Sequence, residues 1–333
     1  MATVTRPLRV VQVGAGRFSR LAHGPALQRL AAGADPAVRL EGVCDLDPTR
    51  PERAETFKHD FGYQRRFADV DEMIAATAPD LIVCSVPPGR SAALLRRVLP
   101  RGIAVFTEKP PAATAREARE LADLASRSRT LTYVAFNRRR MPAIELAKDW
   151  VRRSDRLRHV HATLRRVDRR EPHFLIMTGV HAIDTVRYLA GDVRVVDSIA
   201  HATRHGGGLN VTASLQFDAG ITGAVEICVD APMAVERYTL VCEASTVDVT
   251  VCAPYSDASF WAGIRIHRGA RLELEVAADH DWLNAAGIMA EHRACLRSIA
   301  GQAPPDCSLD DACRSMAVVE RMEQASMAQG RSV

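Results

Sequence analysis

The sequence lacks the features of a secreted, membrane-spanning or metal-binding protein. No basic start followed by a long apolar segment stands at the N-terminus, so a signal peptide is not indicated. No run approaches the roughly 20 apolar residues that span a bilayer. The eight cysteines form no C-x-x-C pair, and several lie inside apolar, strand-like runs. They are interpreted as buried free thiols in a reducing compartment, without a metal site. We therefore expect a cytoplasmic protein with no membrane partner.

The sequence also lacks a large excess of either positive or negative charge. The 44 Lys and Arg residues against 40 Asp and Glu residues leave a net charge of +4. This excess is too small and too scattered for a nucleic-acid-binding surface. A hydrophobic content of 47% with 25% charged residues is typical of a globular protein. A chain of 333 residues is too long for one ordinary core, so two domains are expected.

The first strand-like run of the chain, Leu8 to Val13, leads directly into a glycine turn with the pattern G-x-G-x-x-S. Gly14 permits a tight turn, Gly16 lets a pyrophosphate approach the backbone, and the following helix start offers N–H groups. The alternative is a tight turn without a ligand. The residues predicted to contact a dinucleotide here are Gly14, Gly16, Arg17 and Phe18. Pro25 predicts a kink or split of the helix near Gly24.

An acidic residue closes the second strand-like run, Val38 to Cys44. Asp45 is placed to accept hydrogen bonds from the adenosine ribose hydroxyls and to disfavour a 2′-phosphate, which predicts NAD rather than NADP. Arg50 lies close enough in sequence to leave NADP open. The alternative for Asp45 is a helix cap before Pro48.

The first half of the chain alternates strands with helices. This alternation predicts a doubly wound parallel sheet, the α/β class. Predicted helices cover 51–61, 68–76, 91–100 and 114–126, and predicted strands cover 80–85, 102–106 and 130–136. The proline-rich turn after the strand 80–85 forms a rigid rim beside the predicted cofactor, with Ser85 and Pro87 as contacts.

The strand 102–106 runs into Glu108-Lys109-Pro110-Pro111. Two prolines cannot extend a ladder, so Glu108 and Lys109 stand at the carboxyl end of a strand. Ligands of open α/β sheets bind at that edge, and we predict that both residues contact the cofactor. The alternative is a surface turn with two solvated charges.

Several of these segments together resemble the Gfo/Idh/MocA oxidoreductases, which take their name from glucose–fructose oxidoreductase and inositol dehydrogenase. The resemblance runs nearly end to end, and its most specific parts are Glu108-Lys109-Pro110 and a later segment that contains His181. The segments that carry it are 13–16, 44–45, 85–88, 108–110, 137–139 and 179–184.

The resemblance implies an NAD(P)-binding Rossmann domain over 1–136 and an α/β domain over 137–333. The second domain has a large, mixed, mostly antiparallel open sheet that carries the substrate pocket and forms a homodimer or homotetramer interface, and its last helix can pack back on the first domain. The implied reaction is reversible hydride transfer between a nicotinamide and a hydroxyl or keto group of a sugar, nucleotide sugar or cyclitol. It implies that Lys109 is catalytic and favours a cis Lys109–Pro110 bond.

The second half fits the implied substrate domain. A helix is predicted over 179–189, and recurring strand-like runs with turns such as 206–208 predict the sheet, before a last helix over 306–329. By resemblance His181 occupies the position of the catalytic histidine. Asp184 shares its helix face and could orient His181, hold a substrate hydroxyl or cap a buried network. Further residues predicted to bind the substrate are Arg138, Glu171 and His173, and Asn137 is predicted to contact the cofactor.

The sequence departs from the family pattern at two positions. Relatives similar to inositol dehydrogenase have an aspartate four residues before the histidine, whereas this chain has Met177, so an Asp-His dyad is excluded. Ser91 stands where many relatives have a histidine. Glu108, Glu171, His173 and Asp184 are candidates to replace the missing carboxylate.

Two other function classes are compatible with the same residues. One is an NAD-using glycosidase or lyase in which the cofactor is oxidised and reduced within each turnover, so that no net NADH forms. The other is a regulatory protein that binds the dinucleotide without catalysis, which Met177 favours and the retained Lys109 and His181 oppose.

Overall fold

The structure of the chain is a computed structural model that describes residues 6–33, 37–171, 173–203, 209–252, 260–277 and 281–328. The turn predicted at 206–208 and the predicted end of the last helix at Gln329 lie outside the described residues.

The first part of the chain alternates short strands with helices. The strands are β1 (Leu8–Val13), β2 (Val38–Cys44), β3 (Arg65–Phe67), β4 (Leu81–Cys84), β5 (Ala104–Thr107) and β6 (Thr132–Val134). The helices are α1 (Gly24–Ala31), α2 (Glu52–Phe61), α3 (Val70–Thr77), α4 (Pro88–Val98) and α5 (Ala115–Arg127), with a π-helical turn at Ser19–His23 and a 3₁₀ turn at Leu99–Arg101.

The remainder holds most of the strands. The helices are α6 (Pro142–Arg153), α7 (Val180–Ala190), α8 (Trp282–Ala285), α9 (Ile288–Ile299) and α10 (Leu309–Ala328), with a 3₁₀ turn at Asn137–Arg140 and a π-helical turn at Leu175–Gly179. The strands are β7 (Leu157–Arg165), β8 (Val193–Ala202), β9 (Leu209–Phe217), β10 (Thr222–Cys228), β11 (Val235–Cys242), β12 (Thr246–Cys252), β13 (Trp261–Arg268) and β14 (Arg271–Ala277).

The chain forms two compact units. The first unit comprises Met1–Phe136 and Ile288–Cys313, and the second comprises Asn137–Gly287 and Arg314–Val333. The sequence predicted one boundary, at 136/137. The structure assigns α9 to the first unit as well, so the C-terminal part of the chain contributes to both units.

The first unit contains a parallel sheet of six strands in the order β3-β2-β1-β4-β5-β6. Strands β4 and β5 are buried at every residue, as expected for a parallel sheet covered by helices on both faces. The strand order reverses between β1 and β4, and ligands of such folds bind in the crevice at this point. The doubly wound sheet predicted from the sequence is confirmed.

The second unit contains a mixed sheet of eight strands in the order β14-β13-β12-β11-β7-β10-β9-β8. The β7–β10 pair is parallel and the other pairs are antiparallel. Buried and partly exposed residues alternate along β12 and along β9, so one sheet face is packed. The predicted mixed sheet is therefore confirmed. Large apolar side chains are exposed on β8, β13 and β14, and an oligomer through this sheet stays a prediction.

Local features differ in how far the sequence predicted them. The predicted split near Gly24 is confirmed, because the π-helical turn ends at His23 and α1 starts at Gly24 with Pro25 in its first turn. The π-helical turn at Leu175–Gly179, which precedes α7, was not predicted. Strand β3 was not predicted. No helix within the described ranges combines the length and hydropathy needed to cross a bilayer.

Candidate active site

The glycine turn forms one wall of a pocket of about 400 Å³ at the carboxyl edge of the first sheet. The turn is anchored at both sides, because Gly14 N–H donates to the Cys44 carbonyl (2.7 Å) and Ser85 N–H donates to the Val13 carbonyl (2.9 Å). The pocket is lined by Gly14, Gly16, Asp45, Leu46, Asp47, Arg53, Ser85, Val86, Pro87 and Arg90. Gly14, Gly16, Asp45, Ser85 and Pro87 were predicted from the sequence as cofactor contacts, and the structure brings them together.

The two glycines of the turn differ in what surrounds them. Gly14 has a φ of +94°, and a Cβ placed there would lie 2.0 Å from the Ser85 carbonyl oxygen. A Cβ on Gly16 would meet nothing within 4 Å. Arg17 and Phe18 begin the helical segment after the turn, and both are exposed. Open space over Gly16, next to the N–H groups of a helix start, is the surface that a pyrophosphate needs.

Exchanging each glycine for alanine separates these two roles. Gly16→Ala is expected to keep the melting temperature within about 2 °C and to raise the Kd for NADH at least about tenfold, because its methyl group occupies only the open space. Gly14→Ala is expected to lose about 2–3 kcal/mol of stability as well, because the added Cβ would clash with the Ser85 carbonyl oxygen at a residue with a φ of +94°. Thermal melting and NADH fluorescence titration measure both. Unchanged NADH affinity in Gly16→Ala would place the cofactor elsewhere.

The Asp45 carboxylate is tied to the glycine turn. One oxygen accepts the Ala15 N–H (2.9 Å) and the other accepts the Asp47 N–H (2.9 Å). Asp45 is half-buried and lines the pocket. Each carboxylate oxygen has a second lone pair, so Asp45 can still accept from a ligand hydroxyl. The basic groups nearby are engaged, since Arg53 pairs with Asp47 (3.3 Å) and Arg90 donates to the Leu46 carbonyl (3.3 Å).

The Glu108-Lys109-Pro110 segment follows β5 at the same sheet edge, beside the end of β4. The Glu108 N–H donates to the Cys84 carbonyl (3.0 Å), which continues the ladder by one residue. The Lys109–Pro110 bond is cis, as the resemblance favoured. Pro110 and Pro111 are buried, whereas Glu108 and Lys109 are half-buried. The segment is therefore a fixed strand end rather than a solvated surface turn.

His181 lies in the first turn of α7, in the second unit, and is 4% exposed. Its Nε2 lies 3.0 Å from Nη1 of Arg138. A guanidinium only donates, so Nε2 must accept, and the neutral ring then carries its proton on Nδ1. Arg138, which contacts this histidine, is a cation, whereas the family aspartate missing at Met177 would have been an anion.

Arg138 is held by a buried carboxylate that the sequence did not reveal. Glu236 on β11 accepts from Arg138 Nη2 (2.6 Å), from Arg166 Nη2 and from the Tyr238 hydroxyl (2.9 Å). Arg138 Nη1 also donates to Asn137 Oδ1 (3.0 Å). Burial alone would raise the pKa of Glu236, but the two guanidinium groups lower that pKa well below its ordinary range. A buried cluster of oppositely charged groups thus fixes the position of Arg138.

The other predicted substrate residues are placed differently. Asp184 is fully buried and accepts from Arg139 (2.5 and 2.7 Å) and Ser315 (2.7 Å), which corresponds to the buried-network role among the three left open. Its carboxylate is therefore not on a surface that a substrate could reach. Glu171 is half-buried and pairs with Arg169, and His173 is exposed with a φ of +60°. The predicted cofactor contact Asn137 is buried and donates to the Ala286 carbonyl (2.8 Å).

Sequence reasoning missed two histidines beside the Glu-Lys-Pro segment. His23 Nε2 lies 3.0 Å from Glu108 Oε1, and His23 Nδ1 lies 2.9 Å from Nε2 of His292. A signal existed for His23, because it is spaced with Ser19 and Leu27 along the buried face of a helical segment. A polar residue on such a face needs a partner. No comparable signal links His292 to this site.

Two family models match the chain. Residues 8–136 match a family model described as "Oxidoreductase family, NAD-binding Rossmann fold", and residues 149–248 match the GFO/IDH/MocA C-terminal domain. The chain is 26% identical over 217 residues to a D-glucoside 3-dehydrogenase of Escherichia coli K12 (60% of this chain, 59% of the relative). It is 26% identical over 239 residues to a D-apiose dehydrogenase of Paraburkholderia graminis (67% and 61%).

The chain thus spans about three fifths of the length of these two relatives. Among solved structures, a levoglucosan dehydrogenase in complex with NADH and levoglucosan superposes with a TM-score of 0.81 at 17% identity, covering 97% of this chain and 98% of the other. At this identity the superposition supports the fold alone.

Proposed function

Because the chain belongs to the GFO/IDH/MocA oxidoreductase family, we propose that it is an NAD-dependent dehydrogenase that acts on a ring hydroxyl of a sugar or cyclitol. The observation that carries this proposal is the pocket over the glycine turn, with the Glu108-Lys109-Pro110 segment one strand away at the same sheet edge. The relatives named above act on a glucoside and on apiose, and the solved neighbour binds levoglucosan. All three are carbohydrates, which supports the substrate class.

The first unit fits NAD by its own geometry. The space above Gly16 admits a pyrophosphate, the helix start at Arg17 and Phe18 supplies N–H donors, and Ser85 and Pro87 form the opposite rim. Bound NAD supplies the hydride acceptor, and the protein supplies orientation and proton handling. In this proposal Asp45 accepts from the adenosine ribose.

A preference for NAD over NADP follows from the carboxylates in the pocket. Asp45 and Asp47 both line it, and a 2′-phosphate beside them would meet like charge. Arg53 and Arg90 also line it, but Arg53 is paired with Asp47 and Arg90 with a backbone carbonyl. To neutralise a 2′-phosphate, either arginine would have to give up its present contact.

Oxidation of a carbinol requires a group that removes the hydroxyl proton as the hydride leaves. We assign this step to Lys109, whose Nζ in its neutral form accepts the proton. His181 is a weaker candidate for the acceptor, because its Nε2 lone pair already accepts from Arg138. We assign His181 to orienting the Arg138 guanidinium, which its Nε2 contacts at 3.0 Å. Glu171 and His173 stay proposed as substrate contacts.

The experiment that tests the function is a turnover screen. The purified protein is incubated with NAD⁺ or NADP⁺ and a panel of sugars, glucosides, nucleotide sugars and cyclitols, and NADH formation is followed at 340 nm. We expect net NADH with at least one carbohydrate and a Kd for NADH at least about tenfold below that for NADPH.

The same screen, read by mass spectrometry, separates the other function classes. Loss of a glycoside without net NADH would identify the redox-neutral glycosidase or lyase. Tight NADH binding without turnover of any panel member would identify the regulatory protein. Either result would overturn the dehydrogenase proposal.

A further inference from the structure

Three side chains of the first unit form a hydrogen-bonded chain behind the Glu-Lys-Pro segment. His292, on α9, contacts His23 through Nε2 and Nδ1 at 2.9 Å. His23, at the end of the π-helical turn, contacts Glu108 Oε1 through Nε2 at 3.0 Å. The proposed reaction does not use either histidine. Two buried, titratable rings aimed at the residue next to Lys109 therefore call for an explanation.

The two rings are held rigidly. His23 and His292 are both fully buried. The His292 ring stacks on Phe106 (centroids 4.4 Å apart, interplanar angle 18°), and the His23 ring meets His292 edge-on (5.1 Å, 89°). Phe106 belongs to β5, so the rings pack against the strand that ends in the Glu-Lys-Pro segment. A set of partners packed in this way fixes the orientation of the Glu108 carboxylate.

The direction of the hydrogen bonds follows from His292. Burial, followed by the neighbouring His23, lowers the pKa of His292 well below its ordinary value, so this ring is neutral. Its Nδ1 is buried and has no hydrogen-bond partner among the described residues. A buried orphan donor is rarer than an orphan acceptor, so the proton lies on Nε2. His292 thus donates to His23 Nδ1, and His23 donates from Nε2 to Glu108.

The chain continues from Glu108 to Lys109. The second carboxylate oxygen of Glu108 accepts the backbone N–H of Lys109 (3.3 Å), while the Glu108 N–H is bonded to the Cys84 carbonyl. One carboxylate oxygen is therefore held by His23 and the other is turned onto Lys109. Whatever fixes the carboxylate also fixes the backbone from which the Lys109 side chain extends.

We propose that His23 is a positioning residue, which is oriented by His292 and acts through the Glu108 carboxylate to hold Lys109 in its working position. This inference deepens the proposed function and rests on Lys109 being the proton acceptor. The chain is not a route for protons to solvent, because it ends at the buried Nδ1 of His292. It is also not a metal site, since no described group of His, Cys, Asp and Glu side chains could hold an ion.

Two substitutions of His23 separate its two bonds. In His23→Gln the amide nitrogen overlays Nε2, so the bond to Glu108 is kept and the bond to His292 is lost. In His23→Asn the amide overlays Nδ1, so the bond to His292 is kept and the bond to Glu108 is lost. We expect His23→Asn to lower kcat on the order of tenfold with KM for the carbohydrate nearly unchanged, and His23→Gln to stay within about threefold of wild type.

Equal losses in both variants, or wild-type kcat in both, would overturn the proposal. A merely structural histidine predicts parallel losses of kcat and melting temperature in the two variants, without the rescue by glutamine. NADH titration accompanies both measurements, and we expect the same Kd in all three proteins, because neither variant alters the pocket over the glycine turn.

A second measurement needs neither substrate nor cofactor. Long-range ¹H–¹⁵N spectra of the protein labelled in its 11 histidines report the tautomer of each ring. At pH 7 we expect His23 and His292 to be neutral and protonated at Nε2, with His23 assigned by the signals lost in its variants. A proton on Nδ1 of a neutral His23, or an imidazolium, would overturn the proposal even if the dehydrogenase screen succeeds. If the screen fails, the spectra still test the hydrogen-bonded chain by itself.

Discussion

Lys109→Met is expected to lower kcat about a thousandfold on the carbohydrate found by the screen, while the Kd for NADH changes less than about tenfold. Methionine keeps the length of the side chain and removes the only atom that can accept a proton. The fixed strand end and the cis bond to Pro110 remain. The loss should therefore appear in the chemical step. Single-turnover kinetics with a substrate deuterated at the carbinol carbon measure that step directly.

The chain offers a matched control, because it contains only three lysines, at positions 58, 109 and 148. Lys58 lies on α2 and pairs with Glu55 (2.6 Å) at the surface, where an exposed ion pair contributes little to stability. Lys58→Met should therefore match wild type in kcat and stability. Partial recovery of turnover when propylamine is added to Lys109→Ala would identify the lost group as a base. Full turnover in Lys109→Met would remove Lys109 from the mechanism.

The fold of the first unit could be predicted because its information is local. Buried parallel strands form short, continuous apolar runs, and the turns between them carry glycine or proline. Strand β3 was not predicted, because it has only three residues and two of them are exposed arginines. It therefore shows neither an apolar run nor an alternation of apolar and polar residues. The π-helical turn before α7 was not predicted, because a loop and a distorted helix turn have the same composition.

The residues predicted to bind the cofactor could also be found from local sequence. Gly14 and Asp45 each stand directly after a strand and Gly16 lies in the same turn as Gly14, and adjacent parallel strands bring their carboxyl ends together. The groups that hold the reactive side chains were not predictable in this way. His23 and His292 are 269 positions apart in the sequence, and Arg138 and Glu236 are 98 apart. No periodicity encodes such a pair, because only packing of distant elements brings the two side chains together.

Asp184 shows the limit of reasoning from spacing. Its separation from His181 correctly places both on α7, but a shared helix face does not decide the partner. The partners are decided by two adjacent arginines. Arg139 binds Asp184, whereas Arg138 binds His181 and Glu236. Arg138, predicted to bind the substrate, and its neighbour Arg139 are both buried.

Replacing Glu236 with glutamine is expected to destabilise the second unit by about 3–5 kcal/mol. The variant keeps the size of the side chain but leaves the guanidinium groups of Arg138 and Arg166 buried without their shared carboxylate. All three tryptophans of the chain (150, 261 and 282) belong to the second unit. Urea unfolding followed by tryptophan fluorescence therefore reports on this unit selectively.

Glu226→Gln is the control, since Glu226 on β10 pairs with Arg165 (3.2 Å) through side chains that are 37% and 41% exposed, and such a pair contributes about 1 kcal/mol or less. The pH dependence tests the direction in which the contribution of Glu236 to stability changes. The pKa of Glu236 is lower in the folded than in the unfolded chain, so its contribution is complete above the ordinary glutamate pKa of about 4.3 and is lost as the pH falls towards the folded value. The stability gap between wild type and Glu236→Gln should be constant from pH 8 to about pH 5 and shrink by about 1.4 kcal/mol per pH unit below about pH 4. A gap no larger than that of Glu226→Gln would mean that Glu236 is not the charge that compensates the two buried arginines, and that Arg138 is held beside His181 by its other contacts.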